Sequence, residues 1–151
     1  FFITENQIGL FFFYFCLFIA FNQCFVTGFM LKYFNEKQIL SYSLMSTGFI
    51  LVLYFLPTEF RQIFWITPFL ALPTSLSMAS LTGYVSKMAD KEIQGEVLGI
   101  NASVYALAQS IPAILSGFIA AFIAPWAPIL VGALFLIISG IYFVFNKHRL
   151  I

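Results

Sequence analysis

The chain has 151 residues, of which 62% are hydrophobic and 9% are charged, and its formal net charge is +1. Ordinary soluble domains are about 45–50% apolar and about 25% charged, so a water-soluble domain of this size could not cover so much apolar surface. The composition excludes a soluble enzyme, a disordered chain and a nucleic-acid-binding protein, and it predicts an integral membrane protein.

Charge-free segments predict where the chain crosses the bilayer. The charged residues fall in short clusters, which leave charge-free runs at 6–31, 38–58, 62–86 and 97–146. A crossing needs about 20 apolar residues, so each of the first three runs fits one helix, and the fourth fits two. Pro125 and Pro128 mark the turn that divides the fourth run. The sequence therefore predicts an all-α membrane protein with spans at about 8–31, 39–57, 63–87, 97–124 and 128–146.

The first span is rich in phenylalanine, which favours lipid contact and packing, and it carries two amide side chains, Asn22 and Gln23. Lipid offers no hydrogen-bond partner at mid-membrane depth, so these amides should face other helices or a watery cavity. Two interpretations stay open, a place on a substrate pathway and hydrogen bonding between helices.

Hydroxyl groups and prolines distinguish the second and third spans. Serine and threonine cost little free energy in a membrane helix, because their hydroxyls donate hydrogen bonds to carbonyl oxygens of the same helix. Those of the second span therefore predict no function. The third span contains Pro68 and Pro73 with hydroxyl residues around them. Bent helices of this kind often line transporter cavities, and a simple packing kink is the alternative.

The fourth span combines small residues with a polar stripe. Gly95, Gly99 and Ser103 recur every four residues, a spacing that lets two helices approach closely, and Pro112 predicts a kink. Asn101, Tyr105 and Gln109 also recur every four residues and form one face. This stripe should line a cavity or make structural hydrogen bonds rather than face lipid. The fifth span is nearly featureless, so we expect it to face lipid.

The distribution of basic residues predicts the orientation. The segments 32–38, 87–96 and 146–151 hold six of the seven Lys and Arg residues, and the opposite set holds only Arg61. The positive-inside rule therefore places the N-terminal end outside and the C-terminus in the cytoplasm. The chain starts with Phe1 rather than Met and has an odd number of spans, which predicts that it is part of a longer protein whose missing helices lie upstream.

No Asp, Glu, Lys, Arg or His side chain falls at membrane depth in any predicted span. Intramembrane hydrolysis would need a base or metal ligands, and a pump motor would need a nucleotide-binding domain. The sequence therefore predicts neither an enzyme nor a protein with a cofactor or metal site.

The loop 86–99, which reads SKMADKEIQGEVLG, resembles the loop between the tenth and eleventh helices of major facilitator superfamily transporters. Gln94, Gly95 and Gly99 look most like the drug:proton antiporter branch, which includes tetracycline efflux proteins. The segment 108–112 is similar to the eleventh helix of that branch. The segment 23–28, ending at Gly28, and the loop that contains Glu36 and Lys37 resemble the end of the eighth helix and the loop after it.

The resemblance implies helices eight to twelve of a twelve-helix fold in a bacterial cytoplasmic membrane. It implies alternating access, with the seven upstream helices, a small-molecule substrate and the lipid bilayer as partners. It also implies that the amide and stripe residues are cavity candidates, and that the two loops form part of the cytoplasmic gate. A non-transporting membrane scaffold or an inactive transporter fragment is the alternative.

Overall fold

The computed structural model describes residues 5–145, and every regular element within that range is a helix. The helices, in chain order, are α1 (Glu5–Tyr33), α2 (Glu36–Leu53), α3 (Phe60–Met88), α4 (Gln94–Phe122) and α5 (Ala127–Phe145). Connections at 34–35, 54–59, 89–93 and 123–126 join them. The predicted all-α class is therefore confirmed.

Most helices extend a few residues beyond the predicted spans because their first turns begin in the polar loops. The second helix differs most, since it ends at Leu53 rather than at 57. The backbone N–H groups of Tyr54, Phe55 and Leu56 bond carbonyls three residues back, which tightens the chain into turns. Pro57 disfavours the helical conformation in the residue before it, so the helix cannot continue. Residue 146, the end of the fifth predicted span, lies outside the described residues.

Four helices, α1, α3, α4 and α5, are long and apolar enough to cross a membrane by length and composition. The helix α2 is the exception within the described range, because its first turn is Glu36, Lys37 and Gln38 and several hydroxyl residues follow. It lies at the centre of the bundle, packed between α3 and α5. Its hydroxyl residues Ser41, Ser43 and Thr47 are thereby buried in protein.

The tightest packing is between α2 and α5. A Cβ atom at Gly48 would lie 2.9 Å from the Ala133 carbonyl oxygen, and one at Gly140 would lie 3.1 Å from the Ser41 carbonyl oxygen. The prediction that the fifth span mainly faces lipid is therefore wrong for this side of α5. Small residues let membrane helices approach closely, and here Gly48, Ala133 and Gly140 do so.

The interface between α2 and α3 is held by polar contacts at three levels. The Lys87 ammonium forms an ion pair with Glu36 at one end. The Ser77 hydroxyl donates to the Ser43 hydroxyl at 2.7 Å, and the Tyr54 hydroxyl lies 3.3 Å from that of Thr67 at the other end. The order of these contacts shows that the two helices are antiparallel.

The outer helices are attached less firmly. Phe11 and Tyr14 of α1 pack edge-on against Phe64 of α3, with ring centroids 6.2 and 5.4 Å apart. The helix α4 has no buried residue among those described, and its glycines, Gly95, Gly99 and Gly117, have no neighbouring atom where a Cβ would lie. The close approach that the small residues of the fourth span predict is therefore absent within residues 5–145.

Candidate substrate-binding clefts

The stripe residues Asn101 and Tyr105 line a cleft between α3 and α4. This cleft has a volume of about 290 Å³ and is completed on the α3 side by Met78, Leu81 and Thr82. Asn101 is half-buried and Tyr105 is 37% exposed, so both polar groups can be reached from the cleft. Gln109 is exposed one turn further along α4 and does not line the cleft. The structure therefore brings two of the three stripe residues together.

A larger pocket, the Asn22 pocket, lies between α1, α2 and α3 and has a volume of about 630 Å³. Asn22 is 5% exposed and lines it, whereas Gln23 is exposed and does not. The rest of the lining is mainly aromatic and aliphatic: Phe18, Phe21, Met30, Phe34, Ile39, Ile50, Pro68, Phe69, Leu72, Pro73 and Leu76, with the polar residues Gln38, Tyr42, Ser43 and Ser46.

A π-helical segment, Asn22–Thr27, sets the position of Asn22. Residues five apart lie about 140° apart around an α-helix, but i→i+5 hydrogen bonding places them on one side. The Thr27 hydroxyl donates to the Asn22 carbonyl oxygen at 3.2 Å, and both residues are buried. The segment thus turns Asn22 inward, and such segments are frequent at functional sites.

The structure separates two groups of candidates that the sequence placed in one cavity. Met78, Leu81 and Thr82 fall on one side of α3, and the α3 residues that line the Asn22 pocket fall on the opposite side. The latter are Pro68, Phe69, Leu72, Pro73 and Leu76. The two linings share no residue. Asn22 and the pair Asn101 and Tyr105 therefore belong to different clefts.

Sequence reasoning missed the contribution of α2 to the Asn22 pocket. Gln38, Tyr42 and Ser46 line it and recur every four residues, the spacing that revealed the stripe on the fourth span. This signal was present in the sequence, but it was hidden among other hydroxyl residues. Pro68 and Pro73 also line the pocket and lie, like Pro112 in α4, inside uninterrupted helices. The bend expected at each proline stays a prediction.

Three of the gate candidates meet the end of α3. Glu36 pairs with Lys87, and the Lys37 ammonium lies 5.2 Å from the centroid of the Tyr84 ring. The Gln94 amide donates to the Ser86 carbonyl oxygen at 3.2 Å. These contacts join the starts of α2 and α4 to α3, and we call this region the loop end of the bundle. Gly28, Gly95 and Gly99 are exposed and have open space around them.

The comparison with protein families identifies the class. The family model of the Major Facilitator Superfamily matches residues 1–150. The chain belongs to the Major Facilitator Superfamily. No curated protein and no solved structure matches it significantly. The superfamily consists of membrane transporters of small molecules and not of enzymes, so the chain is an integral membrane protein of a transporter family.

For a Major Facilitator Superfamily chain, the charge of the clefts bears on the ligand. Neither lining contains an Asp, Glu, Lys or Arg side chain. A charged group taken from water into such a lining would have no counterion, which carries a large desolvation cost. Both clefts are therefore suited to uncharged groups. No three His, Cys, Asp or Glu side chains come together as a metal site within residues 5–145.

Proposed function

We propose that this Major Facilitator Superfamily chain forms helices eight to twelve of a transporter that moves a small molecule by alternating access. The cleft between α3 and α4 is the observation that supports this most directly. It presents an amide, Asn101, and a phenol, Tyr105, on a mainly apolar helix. Polar side chains within a membrane domain are energetically costly, and they commonly mark the pathway of a substrate.

The rocking of two halves supplies the mechanism. Two six-helix halves would move around a site near the bilayer midplane, with the seven upstream helices completing the pathway. The contacts at the loop end would then form part of the cytoplasmic gate. Gly28, Gly95 and Gly99 lie in helices and have open space at their Cβ positions, so the other half could approach the backbone closely there. Asn22, Gln23 and Gln109 would contribute to the pathway together with the cleft.

Within the superfamily we assign the chain to drug:proton antiport in a bacterial cytoplasmic membrane. The support is the likeness of the loop 86–99 to that branch. The charge-free linings imply that the groups that carry protons lie in the other half of the transporter. The uncharged linings also favour lipophilic drugs without a fixed charge on the part of the molecule that the clefts receive.

Proton movement in vesicles tests this function. We would reconstitute the full protein, with an acidic lumen that contains a pH-sensitive dye, and add uncharged lipophilic drugs outside. Antiport predicts that each transported drug makes the lumen alkaline faster than leakage does. Asn101→Leu should slow this response, while Ser103→Ala, whose hydroxyl bonds the Gly99 carbonyl of its own helix, should not.

Two results would contradict the proposal at different levels. Drug accumulation without any proton movement would remove antiport and leave transport. Neither drug nor proton movement by the full protein would favour a membrane scaffold or an inactive transporter.

A further inference from the structure

The Asn22 pocket contains a polar group without a partner. The amide nitrogen of Asn22 is buried and makes no hydrogen bond within residues 5–145. A buried amide donor without an acceptor costs about 1–3 kcal/mol, so its persistence calls for an explanation. Asn22 lines the pocket, and rotation about the soft terminal torsion of its side chain can turn the nitrogen toward the empty space.

The size and lining of the pocket define what could satisfy this donor. Small-molecule sites commonly have volumes of about 300–1,000 Å³, with mainly apolar walls and a few polar groups that orient the ligand. The pocket, at about 630 Å³, fits this description. Its lining holds no charged side chain, so a charged ligand would be unpaired there.

The depth of Asn22 argues against a phospholipid as the occupant. Asn22 lies ten residues before Lys32, or about 15 Å along the helix axis, which is half the thickness of the hydrocarbon layer. Ester oxygens of phospholipids lie at the interface rather than at that depth, and an acyl chain has no acceptor. A lipid chain in the pocket would therefore leave the amide unsatisfied.

We propose that the Asn22 pocket binds a small, uncharged, mainly apolar molecule that carries a carbonyl or ether oxygen, and that the Asn22 amide donates a hydrogen bond to this oxygen. The aromatic rings of Phe18, Phe21 and Phe69 contact the apolar body. The hydroxyls of Ser43 and Ser46, which already bond backbone carbonyls, add a polar side to the pocket. This proposal rests on the role proposed above for Asn22 and names its ligand. It concerns binding of that ligand in the Asn22 pocket rather than its movement across the membrane.

Photolabelling of the full protein in lipid vesicles tests it. Benzophenone is the probe, because it is uncharged, has one carbonyl oxygen and forms a bond to nearby C–H groups under light. Mass spectrometry gives the ratio of adducts on Leu72, in the pocket, to those on Ile138, which is 61% exposed on α5 and reports background labelling. An aryl diazirine without a carbonyl serves as the matched probe.

The expected result depends on the single amide. Asn22→Leu should lower the benzophenone ratio about fivefold, the loss that corresponds to one neutral hydrogen bond. Asn6→Leu, which removes an exposed amide of the same helix away from the pocket, should leave the ratio unchanged, and neither variant should change the diazirine ratio. If Asn22→Leu does not fold, Ser46→Phe fills the pocket and should remove the excess at Leu72.

Three results would overturn the proposal. An unchanged ratio in Asn22→Leu, or an equal fall in both Leu variants, would show that this amide is not the donor. Equal pocket labelling by both probes would assign the pocket to lipid chains. Because labelling needs no proton gradient, a protein that fails as an antiporter can still pass this test, and one that transports can fail it.

Discussion

Single residues determine how closely α2 and α5 approach each other. Gly140 of α5 faces the backbone of α2, where a Cβ atom would lie 3.0 Å from the Met45 nitrogen and 3.1 Å from the Ser41 oxygen. Backbone atoms at this distance cannot move without shifting a helix. Gly132, on the same helix, has no atom within 4 Å of its Cβ position. The pair therefore separates the effect of packing from the effect of helix propensity.

We expect Gly140→Ala to destabilise the protein by about 1–3 kcal/mol, the usual cost of overpacking a filled interface. Gly132→Ala should be neutral or stabilising by up to about 1 kcal/mol, because alanine favours the helix. Thermal unfolding of both variants in detergent, followed by circular dichroism, measures the difference. Equal midpoints for the two variants would show that α2 and α5 are not in close contact.

The sequence predicts that the buried amide side chains need hydrogen-bond partners, but it does not predict what those partners are. The position of Asn22 in a charge-free run places it at membrane depth. Lipid offers an amide no hydrogen-bond partner there, so a protein or ligand partner is needed. The surroundings of Asn22 could not be predicted, because the π-helical segment that turns Asn22 and Thr27 to one side has no recognisable sequence signature. For the same reason Gln23 looked equivalent to Asn22 but lies exposed.

At the scale of helices, the ion pair between Glu36 and Lys87 joins the start of α2 to the end of α3. The pKa of Glu36 is held below its ordinary value of 4.5, mainly by the hydrogen bond from Lys87 and next by a backbone hydrogen bond. A carboxyl with a lowered pKa stabilises the folded state above the pKa of the unfolded chain, and this contribution is lost as pH falls through the folded value.

We therefore expect Glu36→Gln to lower the unfolding midpoint near neutral pH, and the gap to wild type to close below about pH 4. The effect should be at most about 1 kcal/mol, because the Lys87 side chain is 69% exposed. Glu92→Gln, which removes an exposed carboxylate in the turn after α3, is the control and should leave the unfolding midpoint near neutral pH unchanged. A gap that stays open at pH 3 would mean that the charge of Glu36 is not what matters.

The exposed helix α4 leads to a prediction about water access. If its stripe lines a pathway, Asn101→Cys, Tyr105→Cys and Gln109→Cys should react with a small water-soluble thiol reagent. Ile114→Cys, on the other side of the same helix and 64% exposed, should be protected by lipid. The native Cys16 and Cys24 are exposed and must first be replaced. Protection of all three stripe positions, with reaction only in the loops, would exclude a watery cavity.

The helices themselves were predictable because charge and proline mark their ends, but their packing was not. Both α4 and α5 contain glycines that could allow close helix packing. Only the structure shows that Gly140 of α5 packs against α2, where Gly48 lies in the same interface, and that the glycines of α4 make no such contact. Likewise, the hydroxyl residues of the second span predicted no function, yet α2 lines the Asn22 pocket through Gln38, Tyr42 and Ser46. Periodicity identifies a face of a helix and leaves its neighbour undetermined.

For the whole molecule, the structure replaces one expected cavity by two clefts on opposite sides of α3. The sequence could not separate them, because polar residues on different helices carry no information on which side of α3 they meet. In the two proposals, the Asn101 cleft contributes to the substrate pathway, and the Asn22 pocket holds an uncharged ligand through a hydrogen bond from the Asn22 amide.

Orientation in the membrane is the last property that the whole chain predicts. In a protein without its native cysteines, Thr58→Cys should react with a membrane-impermeant thiol reagent in intact cells, and Glu92→Cys only after the cells are made permeable. Both positions are exposed, in turns at opposite ends of α3, and neither change alters the Lys and Arg distribution on which the prediction depends. The reverse pattern would contradict the outside position of the N-terminal end. It would also contradict the assignment to helices eight to twelve, because the eighth helix of the resembling family starts outside, and the loop end could then not be a cytoplasmic gate.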